Sequence, residues 1–273
     1  MRITILTNKD LASCIVLNRL VPALSDHELS IFLSARVGSQ QRQPQQLREL
    51  KFFEQDLFNE ILFPALASAD PARSPELLCF NGIAQLTEQA IVELSDINSG
   101  EDYRCFARTN PDLVLSVRFG TILQETVISL PRYGVLNLHS GLLPAYKGVM
   151  ATFRAMLNED RQIGTTLHFI DDSSIDCGRI IGRTFLPVDR ARSYLWHVLE
   201  LYKQGCALLL SSIATLDATG SVPCEPQSGD GCYYSFPTQA ELTQFADSGL
   251  KLLEPEDIVT IARRFMLPGC VGR

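Results

Sequence analysis

Three polar side chains stand where apolar runs give way to loops: Asn137, His139 and Asp176. The run Gly134-Val135-Leu136-Asn137-Leu138-His139 reads as a strand ending on polar residues, so Asn137 and His139, two apart, point to one face. An amide and an imidazole on one face can aim at a single developing oxyanion. Asp176 follows in a loop bearing Gly and Ser, within reach of the same crevice if its strand is a neighbour. A carboxylate beside an imidazole favours the protonated ring, which suits a histidine that must stabilise negative charge or donate a proton. In open α/β sheets, ligands bind outside the carboxyl ends of strands, where these residues fall. The competing reading is that Asn137 and His139 only satisfy backbone groups at a strand end; spacing alone leaves both open.

Nearby groups are read more plainly. His168, mid-strand and just before the loop, is expected to be a satisfied structural histidine. Cys177 has no base positioned by sequence to activate it, and is taken as a small packing residue. The eight cysteines are scattered without a CxxC pair, which suits reduced thiols in a cytoplasmic protein. With only scattered histidines, no metal is expected.

The elements that would position these groups alternate in type. A strand over 2–7 is followed by a helix over 11–24, with Asn8 or Asp10 as cap, and a strand over 29–34, a βαβ pattern. A polar, Gln-rich stretch over 37–49 leads into a helix over 47–63, which Pro64 should end or kink. A loop over 69–76, a strand over 77–80, a helix over 87–94 and a loop over 96–102 come next. Residues 113–117 (LVLSV) are the strongest buried strand, and further strands are read over 134–139, 164–170 and 179–186. A helix over 193–216 follows. From 217 to 240 the chain turns Gly-, Pro- and Ser-bearing, and a helix over 254–264 opens with Pro near its start. The fold class is α/β: a Rossmann-like, mostly parallel sheet flanked by helices, with a catalytic domain over 1–216 and a short C-terminal extension over 217–273.

The chain has 273 residues, 46% hydrophobic and 20% charged, with net charge −7 and a pI near 5.2. Ordinary globular composition excludes disorder as the main state. Acidity argues against a nucleic-acid partner, because phosphate contacts call for a basic surface. The start, Met1-Arg2-Ile3-Thr4-Ile5-Leu6, reads as a strand and not as a signal peptide, and no apolar run approaches a membrane span. A cytoplasmic enzyme with no membrane partner is expected; a homodimer is left open.

The segment Leu130–Gly148 (LPRYGVLNLHSGLLPAYKG) resembles the signature of the formyltetrahydrofolate-dependent formyltransferases, whose pattern runs Asn-x-His, a small-residue pair, Leu-Leu-Pro, then a basic residue before Gly. Gly164–Gly178 (GTTLHFIDDSSIDCG) is similar to the same family's downstream strand and Asp-x-Gly loop, and the 37-position gap from His139 to Asp176 agrees. The resemblance covers about 75–235. It implies 10-formyltetrahydrofolate as cosubstrate and a small-molecule amine as acceptor. It also implies that Asn137 and protonated His139 stabilise the tetrahedral oxyanion, while Asp176 keeps His139 charged and helps remove the amine proton. The pterin would lie between Arg118, Phe119, Gly120, Thr121, Ile122 and Leu123 on one side and Asp171, Asp172, Ser173, Ser174 and Ile175 on the other. Lys147 stands where Arg is more frequent.

Subfamily patterns bear on the acceptor. Thr7-Asn8-Lys9-Asp10 lacks the glycines of a phosphate-cradling loop, against glycinamide ribonucleotide. Too few residues follow 216 for the β-barrel domain of the tRNA enzymes. An amino sugar on a nucleotide is the expected acceptor, with Tyr233–Phe236 as an aromatic tail. Two rivals stand beside it: a hydrolase that releases formate from the same folate, and a non-catalytic folate-binding module.

Overall fold

The computed structural model describes residues 1–35, 43–67, 75–229 and 231–267. Strand β1 (Arg2–Asn8) runs into helix α1 (Leu11–Ala23), which Asp10 caps by accepting from the Ser13 N–H at 2.8 Å. Strand β2 (Glu28–Ser34) pairs parallel with β1 in full register. Helix α2 begins α-wound (Gln45–Lys51), widens to a π-wound middle (Phe52–Leu62) and closes with Phe63–Ala67. Pro64, expected to end or kink this helix, sits instead just past the change of winding, where its missing N–H is tolerated. The parts of the polar loop before residue 43 and of the loop over 68–74 lie outside the described residues.

Helix α3 (Phe80–Thr87) precedes strand β3 (Val92–Leu94), so the strand expected over 77–80 and the helix over 87–94 are both displaced. Leu77, Phe80 and Ile83 are buried at spacing three, and an apolar run this short does not declare its period. Helix α4 (Gly100–Arg108) begins inside the expected loop; Phe106 is its one buried residue, so it has little apolar face to read. Strand β4 (Leu113–Ser116), a single turn α5 (Glu125–Ile128) and strand β5 (Val135–His139) follow. Then come strand β6 (Tyr146–Gly148), helix α6 (Ala151–Leu157), and strands β7 (Gln162–Phe169) and β8 (Ile180–Pro187). The long helix α7 (Tyr194–Thr219), strand β9 (Cys232–Tyr234) and helices α8 (Gln239–Asp247) and α9 (Pro255–Met266) complete the described chain.

One seven-stranded sheet, ordered β3-β2-β1-β4-β5-β7-β8, carries the fold. Its first five strands are parallel; β7 lies antiparallel to both β5 and β8. This is the expected α/β class. The β5–β7 register sets Asn137 opposite His168 and His139 opposite Thr166. A second, two-stranded parallel sheet joins β6 to β9.

The C-terminal segment is packed into the same hydrophobic core as the sheet: Leu242, Phe245, Leu250, Ile258, Ile261 and Phe265 are buried with α1 and α7. Phe245 stacks on Phe153 with ring centroids 4.5 Å apart, and Glu241 pairs with the buried Arg154. Phe245→Ala should therefore cost about 3–5 kcal/mol. Denaturant unfolding would check it, and a loss under about 1 kcal/mol would mean that this segment docks only loosely.

Candidate active site

Strand β5 delivers Asn137 and His139 to one end of the sheet, and the loop between β7 and β8 brings Asp176 over them. Asp176 is nine-tenths buried as a side chain and sits at φ +53, a left-handed conformation that turns its carboxylate inward. Oδ2 accepts from the Gly148 N–H at 2.8 Å and lies 3.6 Å from His139 Nδ1. Oδ1 lies 3.4 Å from Asn137 Nδ2 and 3.5 Å from His168 Nε2. Burial alone would raise the Asp176 pKa, but the charge of His139, the His168 contact and the Gly148 amide outweigh it and hold the carboxyl at about 2.

The two histidines are fixed by backbone carbonyls. His139 Nε2 donates to Tyr146 O at 2.8 Å, which leaves Nδ1 facing Asp176. His168 Nδ1 donates to Phe169 O at 2.7 Å, which leaves its Nε2 facing Asp176 and 3.0 Å from Asn137 Nδ2. His168 is satisfied, as expected, yet it also orients Asn137. The strand-end reading is partly met: His139 does hold a backbone carbonyl, while Asn137 meets the side chains of His168 and Asp176.

Gly148 needs its φ of +89 to present its N–H to Asp176, and a Cβ there would come within 2.3 Å of Tyr234 O. Gly178, last of the Asp-x-Gly sequence, has no room either: a Cβ would stand 1.8 Å from Phe169 O. Gln227 spans the loop from outside, donating to Asp176 O and Gly178 O at 2.9 Å each. Cys177 is exposed, with Lys147 Nζ donating to its sulfur at 3.3 Å, so it is not the packed residue expected.

These groups open into a crevice of about 480 Å³. Arg118 through Leu123 form one wall, and Asp172 through Ile175 another. Asp171 is directed away, paired with Arg179 at 2.6 Å. Arg118 lines the crevice with its guanidinium turned into a buried ion pair, Nε donating to Asp10 Oδ2 at 3.0 Å. Asn8 accepts from the Gly120 N–H at 3.0 Å, so the glycine-free turn after β1 braces this loop. The crevice also takes in Glu54, Met150, Tyr194, Tyr202, Tyr233 and Phe236. Apart from Tyr233 and Phe236, these were not legible as site residues, because they come from helices and turns that only packing brings here.

A known protein family described as formyl transferase matches residues 84–195. The chain resembles that family over less than half of its length. Its match to a methionyl-tRNA formyltransferase of Halorhodospira halophila is 32% identical over 158 residues, 58% of this chain and 49% of the relative. The chain thus spans about half the length of the curated relatives it matches. Among solved structures, an N-formyltransferase from Helicobacter canadensis superposes with TM-score 0.55 at 16% identity, covering 99% of this chain and 84% of that one. Glycinamide ribonucleotide transformylase 1 from Symbiobacterium toebii gives TM-score 0.55 at 14% identity, covering 83% and 93%. Asn137, His139 and Asp176 all fall inside the segment that matches that family. Among the described residues, no helix is long and apolar enough to cross a membrane.

The depressed Asp176 pKa has a sign that can be measured. Its ordinary value is 3.8 and its folded value about 2, so the carboxylate stabilises the fold above pH 4 and that contribution is lost as pH falls through 2. Asp176→Asn should lower stability at pH 7 by about 2 kcal/mol and flatten the acid limb between pH 4 and 2. Unfolding followed against pH in both proteins would check this; parallel acid limbs would refute it.

Proposed function

We propose that this protein transfers the formyl group of 10-formyltetrahydrofolate to the amine of a small acceptor, an amino sugar nucleotide foremost. The observation that carries the reading is the joint placement of Asn137 and His139 on one strand face with a desolvated, ionised Asp176 bridging both. The formyl transferase match over 84–195 supports the reaction class. The Helicobacter canadensis enzyme was solved with folinic acid and dTDP-3-aminofucose, which supports both the folate and the amino sugar.

In the reaction so proposed, the pterin lies between the Phe119–Leu123 segment and the Asp172–Ile175 loop. Ile122, 54% exposed, offers it an apolar contact. The acceptor amine attacks the formyl carbon, a new C–N bond forms, and the oxyanion draws on His139 and on the Asn137 amide, which gives up its long 3.4 Å contact to Asp176. Asp176 remains a carboxylate and stabilises positive charge on His139 and on the attacking nitrogen. The C–N bond to the folate then breaks; the proton lost by the acceptor balances the one gained by the departing nitrogen.

A charged tRNA is the second acceptor reading, because the curated relatives are methionyl-tRNA formyltransferases. The net charge of −7 disfavours it. A hydrolase would use the same three residues with water as the acceptor.

Asn137→Ala, His139→Ala and Asp176→Ala should each lose roughly 10²–10³ in turnover. Single-turnover assays with 10-formyltetrahydrofolate would test them, and near-normal turnover in His139→Ala would remove that residue from the mechanism. Saturating folate should raise the melting temperature by mass action. Amino sugar nucleotides should be formylated faster than glycinamide ribonucleotide, hydroxyornithine or charged tRNA. Equal or faster formylation of tRNA would overturn the small-acceptor assignment, and formate release unaffected by any amine would establish the hydrolase.

A further inference from the structure

Glu54, Tyr202, Arg118 and Tyr194 line the crevice, and the chemistry proposed above uses none of them. Glu54 is 9% exposed, and its Oε1 makes no hydrogen bond. The nearest cation is Arg118 Nη2 at 3.8 Å, already committed through Nε to Asp10. Burial pushes the Glu54 carboxyl up to about 7; Arg118 opposes that shift and Asp10 adds to it. The Tyr202 hydroxyl lies beside Ser140 and Arg118, is buried, and likewise makes no hydrogen bond of ordinary geometry.

Buried polar atoms are almost always hydrogen-bonded, so two unpartnered ones on the wall of one crevice point to a bound group. Its chemistry is limited by charge. Asp10 balances Arg118, and Glu54 adds a carboxyl beside that pair, which disfavours phosphate or carboxylate next to it; Lys51 is a further cation on the crevice wall. A carboxyl oxygen and a phenol together suit a group that both donates and accepts, which is a hydroxyl.

We infer that Glu54 and Tyr202 form the acceptor subsite and recognise a hydroxyl on the acceptor's own skeleton. This rests on the formyl-transfer reading and adds to it the part of the acceptor that is selected. The two residues belong to α2 and α7, outside the 84–195 segment that matches the formyl transferase family.

The test uses a matched pair of nucleotide-linked amino sugars, one with a hydroxyl on the carbon next to the amine and one deoxy there. The wild-type protein should favour the hydroxylated sugar about tenfold to a hundredfold in kcat/KM. Glu54→Leu and Tyr202→Phe should bring that ratio near one, and Glu54→Gln, which keeps hydrogen-bonding capacity, should retain most of it. Tyr202→Phe deletes only an unpartnered hydroxyl, so its melting temperature should hold or rise, and it decides the matter if Glu54→Leu does not fold. A wild-type ratio near one, a ratio that survives in Tyr202→Phe, or no turnover of either sugar overturns the inference. The thermal shift given by 5-formyltetrahydrofolate separates the two levels. A shift alongside one of those results leaves formyl transfer standing without this subsite, whereas no shift and no formyl release removes the formyl-transfer reading itself.

Discussion

The structure turns on one carboxylate. Asp176 is removed from water yet kept ionised, which is stable only because a backbone N–H, two imidazoles and an amide converge on it. The partners come from three strands: Gly148 from β6, His139 and Asn137 from β5, His168 from β7. The left-handed backbone at Asp176 and the absent side chains at Gly148 and Gly178 are the local costs of that convergence.

The antiparallel turn in an otherwise parallel sheet makes the convergence feasible. Because β7 runs back along β5, Asn137 and His168 are cross-strand partners and meet at 3.0 Å, and the loop leaving β7 folds directly over the pair. The small β6–β9 sheet adds the second clamp, holding Gly148 against Tyr234 while Gln227 braces the Asp176 loop from behind.

The crevice divides along the chain in an instructive way. Asn137, His139, Asp176 and the Phe119–Leu123 wall lie within 84–195, the segment that matches the formyl transferase family. Asn8, Glu54, Tyr202, Tyr233 and Phe236 come from outside that segment. Solved structures at 14–18% identity share the fold over most of the chain.

The sequence by itself determined the parallel strands β1, β2, β4 and β5 and the two-apart placement of Asn137 and His139, because apolar runs and a period of two are local properties. It also marked the Thr238-x-x-Glu241 capping box of α8, a signal passed over within a turn-rich stretch. Helix α6 was hidden for the opposite reason: with Ala151 through Met156 all buried, it has no polar face and so no period to read. His168 looked merely structural, since a single histidine in a strand does not reveal its cross-strand partner. Arg118 looked like a ligand contact, since nothing local links it to Asp10, 108 residues away. Hydrogen bonding across such distances, the desolvation of Asp176 and the unpartnered oxygens of Glu54 and Tyr202 were decided only by the tertiary structure, because burial and pairing are set by what the rest of the chain brings alongside.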